Sequence, residues 1–173
     1  MKMNSGVSKV ELLILFFVVG LCVSVSIPFL DAQMDRKKSD QCLSNLQEMG
    51  RGLEKYVIEH DQQLPDLMAG RHDSSQDVPV LETVLVDYVP SPEVFWCPAD
   101  FNGSYERSGS SYYWNYFPRL NEEGTKQLKV SQYRFTTDFE RGKDAIELIT
   151  DKDPNHKQRT TKNSLYLYGE ITF

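Results

Sequence analysis

The hydrophobic positions of the chain begin with one long uninterrupted run. From Leu12 to Leu30 the sequence LLILFFVVGLCVSVSIPFL contains no charged residue. A helix rises about 1.5 Å per residue, so this run would be roughly 28 Å long, close to the hydrocarbon thickness of a bilayer. The pattern predicts one membrane segment near the N-terminus.

A second pattern follows, in which apolar residues recur at steps of three and four. Its members are Cys42, Leu43, Leu46, Met49, Leu53, Tyr56, Val57 and His60. Charged and amide side chains fill the other positions, as in an amphipathic helix, and Leu64-Pro65-Asp66 is typical of the chain beyond a helix end. We predict one helix from near Ser8 to about His60, bent at Pro28, with a sheet covering its apolar stripe.

The remaining sequence alternates short apolar segments with polar loops. Residues 80–89 suit a short helix. Three segments have the β-branched and aromatic composition of strands, namely 110–117, 134–137 and 145–150. The segment 163–173 is interpreted as a tight hairpin that turns at Tyr168-Gly169. The predicted fold class is α+β, with the long N-terminal helix packed on a small antiparallel sheet.

The charges favour a membrane-attached protein with an acidic domain. The chain has 19 basic and 25 acidic residues. Leaving out Lys2, Lys9 and Glu11, which precede the apolar run, the rest carries a net charge of about −7, so nucleic acid is not expected as a partner. Lys2 and Lys9 favour a cytoplasmic N-terminus, although basic residues at 36–38 weaken that assignment.

The N-terminal segment allows several interpretations. In an uncleaved anchor, Glu11 would be an ordinary charge at headgroup depth beside Lys9. A secretory signal would be cut after Ser24-Val25-Ser26, a small-x-small site, and the secreted chain would begin at Ile27. A lipoprotein signal is disfavoured because Leu, not a small residue, precedes Cys22.

A fourth interpretation depends on the spacing around Gly6. Gly6 ends a short polar leader, Glu11 is the fifth residue after it, and the apolar run follows at once. This arrangement resembles the processing site of type IV prepilins and type II secretion pseudopilins. The resemblance implies that a prepilin peptidase cuts between Gly6 and Val7 and methylates the new N-terminus. Pro28 matches a proline of many pilin helices, whereas Val7 and Lys9 replace the family's usual Phe and Leu.

The resemblance also implies a role for Glu11. An ionised carboxylate in lipid or in a protein core is unfavourable unless it is paired. In the family, the N-terminal amine of a neighbouring subunit is thought to be the partner, so that association neutralises the charge. Glu11 would then help to register an incoming subunit during assembly.

Further segments resemble one large prepilin-like subfamily, in the same order along the chain. Cys42-Leu-Ser-Asn-Leu46 matches a C-x-S-N-L segment, Phe95-Trp-Cys-Pro-Ala-Asp100 matches F-x-C-P-x-D, and Ser111-Tyr-Tyr-Trp-Asn115 matches S-Y-x-x-N. The family ends on a His, a strand and D-G-H-V. Here His156 precedes a similar strand, but Tyr168 and Glu170 replace the Asp and the second His.

What the resemblance implies is a pseudopilin-like structural subunit of a type II secretion pseudopilus or a type IV pilus-like filament. The expected parts are a leader (1–6), a transmembrane half-helix (7–30), a periplasmic half-helix (31–61) and a globular pilin-like domain (62–173). The expected location is the bacterial inner membrane, with that domain in the periplasm. Expected partners are prepilin peptidase, other pseudopilins, inner-membrane secretion components and lipid. The alternative is a single-pass anchored periplasmic binding or sensor module that does not polymerise.

Candidate chemistry is sparse. Cys42 and Cys97 would face an oxidising compartment, either as a disulfide that clips the helix to the sheet domain or as two buried thiols. Zinc is disfavoured because no CxxC is present. The acidic turn 151–156 offers fewer oxygens than calcium takes, which favours a solvated turn. The aromatic segment at 112–117 suits core packing better than sugar stacking.

No motif predicts catalysis or a cofactor. The sequence has no GxSxG, P-loop, HExxH or GxGxxG pattern, and the three histidines fall in unrelated contexts. We therefore expect no enzymatic activity and no cofactor.

Overall fold

The computed structural model describes residues 9–116, 129–140, 144–152 and 162–172. Its helices are α1 (Lys9–Glu59), α2 (Leu81–Val84) and α3 (Ser104–Ser108), with a 3-10 turn at Pro92–Phe95. Its strands are β1 (Tyr112–Trp114), β2 (Lys129–Thr136), β3 (Ile146–Asp151) and β4 (Ser164–Thr172). The strands form one antiparallel sheet in the order β1-β3-β4-β2. The predicted α+β class, with a long N-terminal helix and a small antiparallel sheet, is confirmed.

Helix α1 has two halves with opposite surroundings. The first half is exposed throughout, and Pro28 lies inside it. The second half packs on the rest of the chain through Ser39, Cys42, Asn45, Leu46, Met49, Gly50, Gly52, Leu53 and Val57. The predicted stripe is thus confirmed in its centre, although His60 is exposed. The part of the chain from Ser39 onward is called the head below.

Two glycines bring α1 close to the head. A Cβ added at Gly50 would lie 3.1 Å from Leu165 of β4, and one added at Gly52 would lie 3.1 Å from Val89. Hydrogen in place of a side chain lets helix and sheet approach without a gap. The core between them contains Phe95, Tyr112, Trp114, Leu148, Ile149 and Leu167, which are almost fully buried.

The C-terminal hairpin predicted at Tyr168-Gly169 is wrong. Strand β4 runs without a turn from Ser164 to Thr172, between β3 and β2. Gly169 faces a bulge of β2, where the register shifts between Ser131 and Arg134. A Cβ at Gly169 would lie 2.9 Å from the Tyr133 Cα. The glycine therefore makes room for a neighbouring backbone, a role that sequence alone does not distinguish from a turn.

Several other helices and strands have different bounds from those predicted. The helix expected over 80–89 is limited to α2, and the strand expected over 110–117 is limited to β1. Strand β2 begins at Lys129, before the predicted start at Arg134. The leader predicted at 1–6 lies outside the described residues.

Candidate functional site

The N-terminal half of α1 is the largest exposed apolar surface that the structure describes. Its large hydrophobic side chains from Val10 to Leu30 are 48–71% exposed. Within the described ranges, α1 is the one helix whose length and composition suit a membrane span, a criterion that an N-terminal signal sequence also meets. In a membrane-attached chain, lipid would cover this surface.

Glu11 lies in the first turn of α1 and is exposed. A carboxylate at this position interacts favourably with the positive end of the helix dipole. The predicted cleavage residues Gly6 and Val7 precede the described residues, so cleavage stays a prediction. The bend expected at Pro28 also stays a prediction.

A disulfide connects α1 to the segment before the sheet. Cys42 and Cys97 are bridged, with an S–S distance of 2.04 Å and a Cα–Cα distance of 5.1 Å, and both residues are buried. Of the two alternatives for these cysteines, the structure therefore has the bridge. Cys22 is a free, exposed thiol in the apolar half of α1.

The segments that resemble the prepilin-like subfamily meet around this disulfide. The Asn45 side-chain amide donates hydrogen bonds to the Trp96 carbonyl (2.7 Å) and the Tyr112 hydroxyl (3.3 Å). The Ser111 hydroxyl accepts from the Cys97 amide (3.1 Å) and donates to Asp100 (2.7 Å). Three segments distant in sequence thus form one buried polar junction between helix, loop and sheet.

Asp100 also caps α3. Its carboxylate accepts hydrogen bonds from the Ser104 and Tyr105 amides at 3.0 and 2.9 Å. Burial alone would raise the pKa of this carboxyl, but the hydrogen bonds from Ser111 and the two amides outweigh burial and lower the pKa. All these contacts stabilise the fold.

The capping role predicts a pH-dependent stability for Asp100→Asn. Because folding lowers the carboxyl pKa below 3.8, its stabilisation is present above that pH and is lost as the pH falls through the folded pKa. The variant should lose about 1–2 kcal/mol of unfolding free energy at pH 7, and the difference from wild type should shrink at pH 3. Denaturant titrations at both pH values measure this.

The exposed Asp87→Asn is the matched control, with an expected change below about 0.5 kcal/mol at either pH. A deficit for Asp100→Asn that stays constant between pH 7 and pH 3 would contradict the ionised cap.

A second polar cluster, absent from the sequence-based predictions, lies at the end of the sheet near β1. An open cleft of about 320 Å³ is lined by Arg71, His72, Arg107, Ser108, Tyr113 and Lys152. We call it the basic cleft. Its residues come from the loop at 71–72, from α3, from β1 and from the end of β3. These parts are far apart in the chain, which explains why no local pattern indicated the cleft.

Arg71 fixes one wall of the basic cleft. Its Nε donates to the Ser108 carbonyl at 2.8 Å, and Nη1 donates to the Ser74 carbonyl at 2.9 Å. The same Nε lies 2.9 Å from Glu82 Oε1. Because the Nε hydrogen is directed at Ser108, charge rather than a hydrogen bond holds this carboxylate. Burial raises the pKa of Glu82, and Arg71 and Lys152 offset part of the rise.

The acidic turn predicted as solvated is buried at its start. Asp151 is 1% exposed, and Lys152 is 9% exposed. Asp151 accepts a hydrogen bond from the Asn163 amide at 3.1 Å, so the solvated interpretation is wrong for these two residues, which close the end of β3. Residues 153–156 lie outside the described ranges. Among the residues described, no group of three His, Cys, Asp or Glu could hold a metal ion.

The aromatic segment alternates as a strand does. Tyr112 and Trp114 are buried in the core, which confirms the packing role for these two residues. Tyr113 faces the other way, is 40% exposed and lines the basic cleft. Phe117 is outside the described residues.

Comparisons with models of protein families, with curated proteins and with solved structures find no match to this chain. The function is therefore inferred from the chain's own residues.

Proposed function

We propose that this chain is a pseudopilin-like structural subunit of a type II secretion pseudopilus or a type IV pilus-like filament. The observation that carries the proposal is the division of α1. Residues 9–30 expose apolar side chains, whereas the half beyond Ser39 is packed into the head. Such a helix suits a membrane anchor in the monomer and a filament core after assembly, because both surroundings are apolar. The head would form the filament surface.

In this proposal the chain crosses the bacterial inner membrane once, with its head in the periplasm. The Cys42–Cys97 disulfide supports that location, because disulfides persist in oxidising compartments.

The first contact between α1 and the head indicates how far the head lies from the apolar run. The Lys38 ammonium lies 4.9 Å from the centre of the Phe101 ring. Lys38 is about 12 Å along the helix from Leu30, so the head would begin at the depth of the lipid headgroups.

In this proposal, Glu11 pairs one subunit with the next during assembly. Prepilin peptidase would cut between Gly6 and Val7 and leave a methylated amine at Val7. When copies of α1 pack side by side away from water, a carboxylate is tolerated only with an opposite charge nearby. The amine of the neighbouring subunit would provide it. Other pseudopilins and inner-membrane secretion components complete the set of proposed partners, together with lipid.

A second candidate is an anchored periplasmic binding or sensor module that does not polymerise. The basic cleft favours it, because a cleft lined by charges of one sign raises the local concentration of ligands of the opposite sign. In that case the start of the chain would remain uncut, and Glu11 would be an interfacial charge.

The proposal is tested by processing and assembly of Glu11→Ala in the native host. We expect wild-type protein from membranes to begin at a methylated Val7, as measured by intact mass. The variant should stay in the membrane, but cross-linked oligomers should fall at least about tenfold, because a pair in a low-dielectric contact is lost.

Asp31→Ala is the matched control, since Asp31 is an exposed carboxylate at the other end of the apolar run. It should assemble as wild type does. Normal assembly of Glu11→Ala would refute the pairing step. A wild-type chain that begins at Met1 would favour the anchored module, and one that begins at Ile27 would indicate a secreted protein.

A further inference from the structure

We propose that the basic cleft of the head is a binding site for a small oxyanion, either a phosphate or a carboxylate group of a soluble ligand. The site is independent of filament formation, because none of its residues belongs to α1. It goes beyond the structural role proposed above, since it gives the head a ligand of its own.

The cleft concentrates positive charge in an acidic chain. Arg71, Arg107 and Lys152 line it, whereas the whole chain carries a net charge of −6. Glu82, beside Arg71, is the carboxylate that packs into this cluster. These three cations would attract an anion that enters the cleft, because opposite charges a few ångströms apart attract each other most strongly where water is partly excluded.

Two other carboxylates lie near the cleft but are engaged elsewhere. Asp73 is exposed and accepts a hydrogen bond from the Ser75 amide at 2.7 Å. Asp151 accepts from the Asn163 amide at 3.1 Å and is buried at the end of β3. Neither lines the cleft, so an anion that enters it meets cations and neutral groups first.

The inner end of the cleft is formed by Lys152. This residue is 9% exposed, its Nζ donates to the Ser108 hydroxyl at 2.6 Å, and Nζ lies 5.1 Å from the centre of the Tyr113 ring. Ring and hydroxyl fix the ammonium in place, so little side-chain entropy remains to be lost on binding. A buried, oriented ammonium is suited to an oxyanion because its field is weakly screened.

The outer end is formed by Arg107. Its side chain is exposed, and its hydrogen bond to the Ser104 hydroxyl is long, at 3.5 Å. A guanidinium can bind two oxygens of one phosphate or carboxylate at once. Arg107 can therefore close on a ligand that Lys152 holds from inside.

Gly109 adjoins Ser108 in the wall between these ends. It has a left-handed φ of +86°, a backbone conformation that favours glycine. A Cβ there would lie 2.7 Å from Arg71 Nη2, so a larger residue would also displace the guanidinium. The volume of about 320 Å³ suits a small ligand rather than a polypeptide.

The test is isothermal titration of the full chain in a non-ionic detergent with inorganic phosphate, at ionic strength matched with sodium chloride. We expect saturable binding with a dissociation constant of about 1 mM or lower. Arg107→Glu should weaken it at least about tenfold.

Acetate and glycerol phosphate are titrated in parallel. Tighter binding of acetate identifies a carboxylate ligand, and tighter binding of glycerol phosphate identifies a phosphate monoester.

Lys55→Glu is the matched control, since it makes the same charge change at an exposed position on α1, away from the cleft. Its dissociation constant should stay within about twofold of wild type. The site is refuted if no anion binds wild-type protein saturably at tens of millimolar, or if Lys55→Glu weakens binding as much as Arg107→Glu does.

Discussion

Removal of the disulfide by Cys42→Ala with Cys97→Ala should lower the unfolding free energy of the head by about 4 kcal/mol. The bridge closes a loop with a sequence separation of 55, and on the chain-entropy model a cross-link of this span restricts the unfolded chain by about that amount. The segment inside the loop after α1 has only α2 and a 3-10 turn as regular structure. Few backbone contacts of its own therefore hold it to the helix.

The measurement is denaturant unfolding of the full chain in detergent, followed by fluorescence of Trp96 and Trp114. Trp114 is fully buried, and Trp96 adjoins the bridged Cys97, so both report on the head. Cys22→Ala removes the exposed free thiol and serves as control, with no expected change in the unfolding midpoint. A double variant within about 1 kcal/mol of wild type would mean that the polar junction alone fastens the loop.

The sequence predicts the structure best where the pattern of hydrophobic residues lies within one continuous segment. The boundaries of α1 follow from an apolar run and then a periodic stripe, both contained in one continuous segment. The disulfide was one of two alternatives, because sequence shows which cysteines share a compartment but not how near they lie. The structure decides this by placing the sulfur atoms of Cys42 and Cys97 2.04 Å apart.

The role of a residue could not be predicted from the sequence where a contact with a residue distant in the chain determines it. Gly169 resembles a turn residue. It is a glycine, however, because a side chain at this position would collide with the backbone of Tyr133 in the bulge of β2. The basic cleft is a stronger case, since Arg71, Arg107 and Lys152 lie far apart in sequence and share no local pattern. Only the tertiary fold brings them to one cavity.

Arg71→Met should have an effect of similar size, a loss of about 3–5 kcal/mol of unfolding free energy at pH 7. The Arg71 and Glu82 side chains are 14% and 8% exposed, so removal of the cation leaves a buried carboxylate near Lys152 alone. The variant also loses the guanidinium hydrogen bonds to the Ser108 and Ser74 carbonyls. The double variant Arg71→Met with Glu82→Gln should recover part of the loss, because it removes the buried charge as well.

The pH dependence separates charge from packing in this pair. Burial already raises the pKa of Glu82 above its ordinary 4.5 in wild type, and loss of Arg71 raises it further. The folded variant then binds a proton more tightly than the unfolded chain. Its stability is therefore fully retained below pH 4.5 and falls as the pH rises toward the folded pKa, by up to about 1.4 kcal/mol per pH unit.

Unfolding free energies of Arg71→Met and wild type are compared at pH 4.5 and pH 7, so that effects common to both proteins, such as protonation of Asp100, cancel. The deficit of the variant should be larger at pH 7. The double variant should show the opposite trend, a deficit no larger at pH 7 than at pH 4.5. Wild-type Glu82 loses stability over this range because its pKa is raised, whereas the amide that replaces it does not titrate. If the single variant behaves like the double one, the carboxylate is not held by Arg71, and the wall of the basic cleft depends on the carbonyl contacts alone.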